Sequence, residues 1–129
     1  MRLLFATAAV LIAATLTSAA NADYYGGVTP TVKAQVVRAV YARWHGSDAQ
    51  RMLCIIGRES GYNPRAQSRT GDSGLAQINQ IHARVMGALW RLRYSIEGNL
   101  DMALRLFLSK DQYGHQLRFR PWAGGSYYC

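Results

Sequence analysis

Apolar residues recur every three or four positions along most of the chain, which is the spacing of helices with one buried face. Thr29 and Pro30 suit the N-cap and the first position of such a helix, since threonine accepts a backbone hydrogen bond and proline has no N–H to satisfy. The apolar stripe that follows consists of Val32, Val36, Val40 and Trp44. This pattern predicts a first helix over 30–44.

A second apolar stripe predicts a second helix. Ser47 with Gln50 three positions later matches a capping box at a helix start. The stripe behind it consists of Met52, Leu53, Ile55 and Ile56. We expect this helix to end near Ser60, because a glycine and then an Asn-Pro pair follow.

The rest of the chain alternates between polar and helical stretches. Polar and glycine residues dominate 65–74, which predicts a loop or a small β-ribbon. Helical spacing returns over 75–92 and is strong over 96–113, where Gly114 is expected to stop the helix. The tail over 118–129 is aromatic and glycine-rich and is expected to be irregular. The pattern therefore predicts a mainly helical α+β fold with a small ribbon or loop.

The N-terminus has the pattern of a secretory signal peptide. A basic Arg2 precedes an apolar run over 3–16, and a small-x-small cleavage pattern ends at Ala22, with a second possible cut two residues earlier. A membrane anchor is the alternative, but about 14 apolar residues fall short of the roughly 20 that span a bilayer. We therefore expect a signal peptide over 1–22 and one mature domain over 23–129, secreted or periplasmic and wall-associated, without stable membrane insertion.

Composition restricts the classes of partner. With 129 residues, 50% of them hydrophobic and 17% charged, the chain has the length and composition of a single folded domain. Its net charge of +8 favours anionic partners, which include nucleic acid, acidic lipid and anionic wall polymers. An exported chain without a nucleic-acid motif makes the first of these the weakest candidate. His45, His82 and His115 lack metal-ligand spacing, so neither a metal nor a cofactor is expected.

Cys54 and Cys129 both lie in the expected mature chain. Disulfides persist in exported proteins, and two cysteines allow one intramolecular pairing. Two free thiols are the alternative.

Glu59 is the first candidate for chemistry, because it falls in the last turn of a helix with an apolar inner side. Unpaired carbonyls at the helix end and burial beside Ile55 and Ile56 both disfavour a charged carboxylate. A carboxyl group that keeps its proton can act as a general acid. An ordinary exposed glutamate at a helix end is the alternative.

The residues around Glu59 form a longer motif. Positions 59–68 read Glu-Ser-Gly-Tyr-Asn-Pro-Arg-Ala-Gln-Ser, and positions 71–79 read Gly-Asp-Ser-Gly-Leu-Ala-Gln-Ile-Asn. This resembles the signature of the lysozyme-like superfamily, which implies the small, mainly helical lysozyme-like fold with a short ribbon or loop beside the helix that bears Glu59. Both soluble lytic transglycosylase (SLT) domains and c-type lysozymes match it. Cys54 and Cys129 also stand where c-type lysozymes have a disulfide.

The resemblance implies cleavage of the β-1,4 bond between N-acetylmuramic acid and N-acetylglucosamine in the glycan strands of peptidoglycan, by a lytic transglycosylase or a muramidase. Glu59 would be the general acid and then the base. Ser68, Gln77 and Asn79 match positions that line the sugar site. A loop cap is the alternative for Ser68, and a structural hydrogen bond to the 65–74 loop is the alternative for Gln77.

Asp72 bears on the choice between the two chemistries. Retaining glycosidases use a second carboxylate, which c-type lysozymes have at this position and transglycosylases generally lack. The spacing from Glu59 is shorter than in c-type lysozymes. The alternative for Asp72 is a turn residue that caps its own turn.

Tyr62 and Trp122 are candidates for stacking on sugar faces, with core packing as the alternative. The sequence departs from the transglycosylase pattern at Gln80, where a proline is usual. We expect a monomer. The competing class of function is an exported cationic protein that binds cell walls or acts on membranes without catalysis.

Overall fold

The computed structural model describes residues 28–124 and Cys129. The predicted signal peptide at 1–22 lies outside the described residues. Within the described part, no helix has the length and apolar character needed to cross a membrane.

The described chain is mostly helical, with a two-stranded antiparallel sheet, which confirms the predicted fold class. The α-helices are α1 (Pro30–Tyr41), α2 (Gly46–Ser60), α3 (Ala83–Met86) and α4 (Ile96–Leu108). The strands are β1 (Asp72–Ser73) and β2 (Ile78–Asn79). Short 3₁₀ helices cover Gln80–His82, Gly87–Leu92 and Arg120–Trp122.

Helix α1 starts where the sequence predicts and ends three residues early. The Thr29 hydroxyl accepts a hydrogen bond of 3.2 Å from the Val32 N–H, and Pro30 follows it. Beyond Tyr41 the chain turns, and Trp44 is buried with its ring edge-on to that of Phe107 in α4. The apolar period thus includes Trp44, although the helix does not.

Helix α2 confirms the predicted end but not the predicted start. It begins at Gly46, with His45 at the N-cap and no side-chain cap, so the prediction of a Ser47 capping box is wrong. Ser47 lies inside the first turn, because Gly46 with a φ of 52° already turns the chain into the helix. At the other end Gly61 adopts the left-handed conformation, and its N–H bonds to the Gly57 carbonyl.

The prediction of one helical stretch over 75–92 is wrong, because the segment is divided into strand β2, helix α3 and two 3₁₀ helices. Gln77 and Gly87 have positive φ angles of 48° and 57°, which interrupt a right-handed helix. Asn79 starts a new turn by accepting a hydrogen bond from the Ile81 N–H.

Helix α4 ends at Leu108 and not at 113. The next residues form a tight turn, in which one Asp111 carboxylate oxygen accepts hydrogen bonds from the backbone N–H groups of Tyr113 and His115. Gly114 lies inside this turn with a φ of 84°, so it bends the turn and does not stop the helix.

The core lies where α1 packs against α2 and α4. Its largest fully buried apolar side chains are Met52, Ile55, Ile56, Leu75, Ile78, Leu100, Met102, Val36 and Val40. A disulfide joins Cys54 in α2 to Cys129 across a separation of 75 residues, as predicted. On the chain-entropy model, a loop of this length stabilises the fold by about 4 kcal/mol.

Asn99 in α4 is a fully buried polar residue that connects the helix to the ribbon. Its side-chain N–H groups donate to the carbonyls of Ser73 and Arg93 at 2.9 and 2.8 Å, and its side-chain oxygen accepts from the Ala76 N–H at 2.8 Å. Gly74, with a φ of 74°, lies so close to Asn99 that an added Cβ would collide with the amide. The ribbon therefore requires glycine at this position.

We expect Asn99→Leu to lower the free energy of unfolding by about 3 kcal/mol, because three backbone groups, two of them in fully buried bonds, would lose the Asn99 amide as a partner. Urea denaturation measures this. Asn63→Ala is the control, since the Asn63 side chain makes a single exposed hydrogen bond to the Arg65 N–H. A loss for Asn99→Leu no larger than that of the control would contradict the assigned role.

Candidate active site

Glu59 lies in the last turn of α2 and is half-buried. It follows Ile55 and Ile56, which are 1% and 0% exposed, so its end of the helix rests directly on the core. The next residue, Ser60, donates its hydroxyl to the Ile56 carbonyl at 3.1 Å and closes the helix. Glu59 therefore sits on a rigid element, at the edge of the apolar interior.

Asp72 lies in β1 opposite Asn79 in β2. One carboxylate oxygen accepts a hydrogen bond of 2.7 Å from the Asn79 amide. The other accepts from the hydroxyls of Ser68 and Thr70, at 2.5 and 2.6 Å. Partial burial alone would raise the pKa of Asp72, but the bonds from Ser68, Thr70 and Asn79 outweigh it and hold that pKa below its ordinary value. Asp72 and these three donors, which we call the Asp72 cluster, therefore contain a carboxylate that is charged at neutral pH.

Ser68 forms the turn that carries this cluster. Its hydroxyl oxygen accepts hydrogen bonds from the N–H groups of Asp72 and Thr70, at 3.0 and 3.2 Å. These bonds are those of a loop cap. Thus Ser68, Asp72 and Asn79, which the motif places among the site residues, lie together in one hydrogen-bonded group.

Gln77 has its side-chain amide directed into the loop. The amide nitrogen donates to the carbonyls of Ala66 and Gly74, at 3.2 and 2.9 Å. These are structural hydrogen bonds to the 65–74 loop, which is the alternative to a role of Gln77 in sugar binding. They connect the loop after α2 to the turn between the strands.

Tyr62 packs back onto α2. Its hydroxyl donates to the Leu53 carbonyl at 3.1 Å, and its ring lies against the backbone of Gly57. The ammonium group of Lys33 lies 4.9 Å from the ring centroid, and burial raises the pKa of the phenol. One ring face is thus taken by a cation.

Trp122 is 5% exposed, and its indole N–H donates to the Ala76 carbonyl at 2.8 Å. It packs in the core, which is the alternative to stacking on a sugar. The bond to Ala76 fixes the C-terminal 3₁₀ helix to the turn between the strands. Trp122 therefore stabilises the turn of the ribbon through this hydrogen bond.

Comparisons with known proteins identify the family of the chain. The family model described as "Transglycosylase SLT domain" matches residues 38–116, which is more than half of the chain. The chain belongs to this SLT domain family.

The SLT domain also resembles a curated protein named membrane-bound lytic murein transglycosylase F, from Desulfosudis oleivorans. The two are 40% identical over 50 residues, which is 39% of this chain and 11% of that protein. The chain thus spans about a tenth of the length of the curated relative that it matches. No solved structure gives a significant match.

Sequence reasoning missed one member of the Asp72 cluster in this SLT domain. Thr70 donates to the same carboxylate oxygen as Ser68. The signal was its position two residues before Asp72 in a polar turn, where hydroxyl side chains commonly bond to nearby groups. Among the described residues, no group of three or more His, Cys, Asp or Glu side chains is arranged to hold a metal ion.

The Asp72 cluster makes stability depend on pH. Because the pKa of Asp72 is lower in the folded chain than its ordinary value of 3.8, the charged cluster stabilises the fold above that pH. This contribution is lost as the pH falls through the folded pKa. We expect Asp72→Asn to destabilise the protein by roughly 1 kcal/mol at pH 6 and by clearly less near pH 2.

Urea denaturation of the parent and of Asp72→Asn at both pH values tests this. Equal destabilisation at the two pH values would contradict a charged cluster. Asp101→Asn is a useful comparison, because Asp101 pairs with Arg43 on another part of the surface.

Proposed function

We propose that this SLT domain cleaves the glycan strands of peptidoglycan as a lytic transglycosylase, with Glu59 as the general acid and base. The observation that carries the proposal is the position of Glu59. It is half-buried at the end of a core helix, and it lies inside the segment that matches the family. The printed name of the relative, a lytic murein transglycosylase, supports the same class of reaction.

The proposed reaction acts on the β-1,4 bond between N-acetylmuramic acid and N-acetylglucosamine. Glu59 donates its proton to the bridging oxygen as the bond from that oxygen to the anomeric carbon breaks. Positive charge then develops on the muramic acid ring. A hydroxyl group of the same sugar attacks the anomeric carbon and returns its proton to Glu59, which leaves an anhydro end and consumes no water. In a muramidase, water would attack in place of that hydroxyl.

The hydrogen bonds of Asp72 favour the transglycosylase over a muramidase with a covalent intermediate. A nucleophile needs a free oxygen aimed at the anomeric carbon. One Asp72 oxygen already accepts two short hydroxyl bonds, and the other accepts an amide bond. In the proposal, Asp72 therefore stabilises the turn and supplies negative charge, and Glu59 performs the proton transfers.

The charge of the chain fits the proposed substrate. A net charge of +8 attracts the protein to anionic cell-wall polymer over distances longer than those of direct contacts. The proposal places the protein outside the cytoplasm, after removal of the predicted signal peptide near Ala22, acting as a monomer on the wall.

We expect Glu59→Gln to reduce the lysis of purified cell wall by at least 100-fold, because general acid catalysis commonly contributes roughly that much or more. Glu97→Gln is the matched control. Glu97 is the other glutamate of the chain, and its exposed side chain pairs with Arg43 at 2.6 Å. The control makes the same change of charge and should retain lysis.

A Glu59→Gln protein that lyses wall as fast as the parent would overturn the proposal. That result would favour the cationic wall-binding or membrane-active protein instead. Circular dichroism spectra of both variants should match that of the parent, so that unfolding does not explain a loss.

Mass spectrometry of the released fragments identifies the acceptor in the reaction. We expect fragments with anhydro ends from the parent. Asp72→Asn should release the same fragments, with the rate lowered by a factor of about 10 or less, since Asp72 does not form the bond to sugar. Ordinary reducing ends, with activity abolished in Asp72→Asn, would instead indicate a muramidase in which Asp72 is catalytic.

A further inference from the structure

The β-ribbon separates the Asp72 cluster from a cavity on its other side. Successive side chains of a strand point to opposite faces, so Asp72 and Asn79 share one face, while Ser73 and its partner Ile78 share the other. A cavity of about 320 Å³ is lined by Ser73 and not by Asp72. Its walls include Gln67 and Gln80 from the ribbon side. We call this the Ser73 cavity.

The opposite wall of the Ser73 cavity consists of Trp90, Arg93 and Tyr94. The guanidinium carbon of Arg93 lies 5.2 Å from the ring centroid of Trp90 and 4.8 Å from that of Tyr94. One N–H of the guanidinium donates to the Trp90 carbonyl at 3.1 Å. The backbone carbonyl of Arg93 is held by buried Asn99. The cation is thus fixed in place before any ligand binds.

The fixed cation has no carboxylate partner among the described residues, and no acidic side chain lines the cavity. The Ser73 hydroxyl donates to the Tyr94 oxygen at 3.5 Å, and both groups line the cavity. This bond, together with the neighbouring Arg93, lowers the pKa of Tyr94. The cavity therefore offers a guanidinium and a hydroxyl donor side by side.

We propose that the Ser73 cavity is a carboxylate-binding site in which Arg93 and Tyr94 hold the acidic group of a peptide, and that the stem peptide of peptidoglycan supplies it. A guanidinium binds a carboxylate through two parallel hydrogen bonds. One cation matches a singly charged carboxylate better than a doubly charged phosphate. The amides of Gln67 and Gln80 can pair with the peptide groups next to it.

The choice of the stem peptide rests on the proposed function, because stem peptides branch from the glycan strands that such an enzyme would cleave. Gly71 and Ser73, the neighbours of Asp72, both line the cavity. A peptide bound there would touch the backbone on either side of the residue that carries the Asp72 cluster. Recognition of a peptide on one face of the ribbon would then select glycan strands that carry stem peptides.

Titration with the tripeptide L-alanyl-γ-D-glutamyl-L-lysine, followed by the NMR signal of the Trp90 indole N–H, tests the proposal. We expect the acidic peptide to bind the parent at least 10-fold more tightly than the same peptide with its carboxylates amidated. Arg93→Gln should abolish that preference. Arg93→Lys, which keeps the charge and loses the paired donors, should reduce it by several fold.

Arg91→Gln is the matched control, because Arg91 is an exposed arginine of the same segment that does not line the cavity. It should preserve the preference. Equal binding of the acidic and amidated peptides to the parent would overturn the proposal. Equal weakening by Arg91→Gln and Arg93→Gln would do so as well, since net charge would then explain the binding. Thermal unfolding of each variant shows whether the fold is retained.

Two further probes identify the source of the ligand. Glutarate bound as tightly as the tripeptide would keep the carboxylate site but overturn the stem peptide as its ligand. Inorganic phosphate bound more tightly than either would overturn both. The titration does not depend on cleavage, so a failure of Glu59→Gln to stop lysis would refute the proposed reaction without affecting this result.

Discussion

The buried amide of Asn99 holds the helical core and the ribbon in one fixed arrangement. The ribbon has only two residues in each strand, which is too little for a sheet to be stable by itself. Its turn depends on a side chain from α4 that pairs with the backbone of Ser73 and Ala76. The same amide holds the backbone of Arg93, so the ribbon and the opposite wall of the Ser73 cavity are positioned by one buried residue.

The sequence predicts the elements that have their own local signals. Thr29 and Pro30 identify the start of α1, and Gly61 identifies the end of α2, because capping and left-handed glycine depend on a few neighbouring residues. The segment over 75–92 is different. Its apolar spacing favours a helix, but Gln77 takes a left-handed conformation while its side chain bonds to the loop at Ala66. A contact between segments decides that structure, and periodicity does not contain it.

The same distinction applies to the candidate site. The motif identifies Ser68, Asp72 and Asn79 as candidate site residues, and they do lie in one hydrogen-bonded group. The motif does not reveal that hydroxyl and amide donors hold Asp72 charged, since Thr70 enters only through the geometry of the turn. The Ser73 cavity also could not be predicted, because its two walls come from segments about twenty residues apart.

The disulfide has a consequence for where the protein reaches its full stability. Cys54 lies five residues before Glu59 in α2, so the cross-link to Cys129 anchors the helix that carries the proposed acid. Cytosolic reductants keep thiols reduced, and oxidising compartments allow disulfides to form. A copy retained among those reductants would lack this anchor. Under the proposed export, disulfide formation would be the last step of maturation, and the chain would be less stable in the cytosol than outside it.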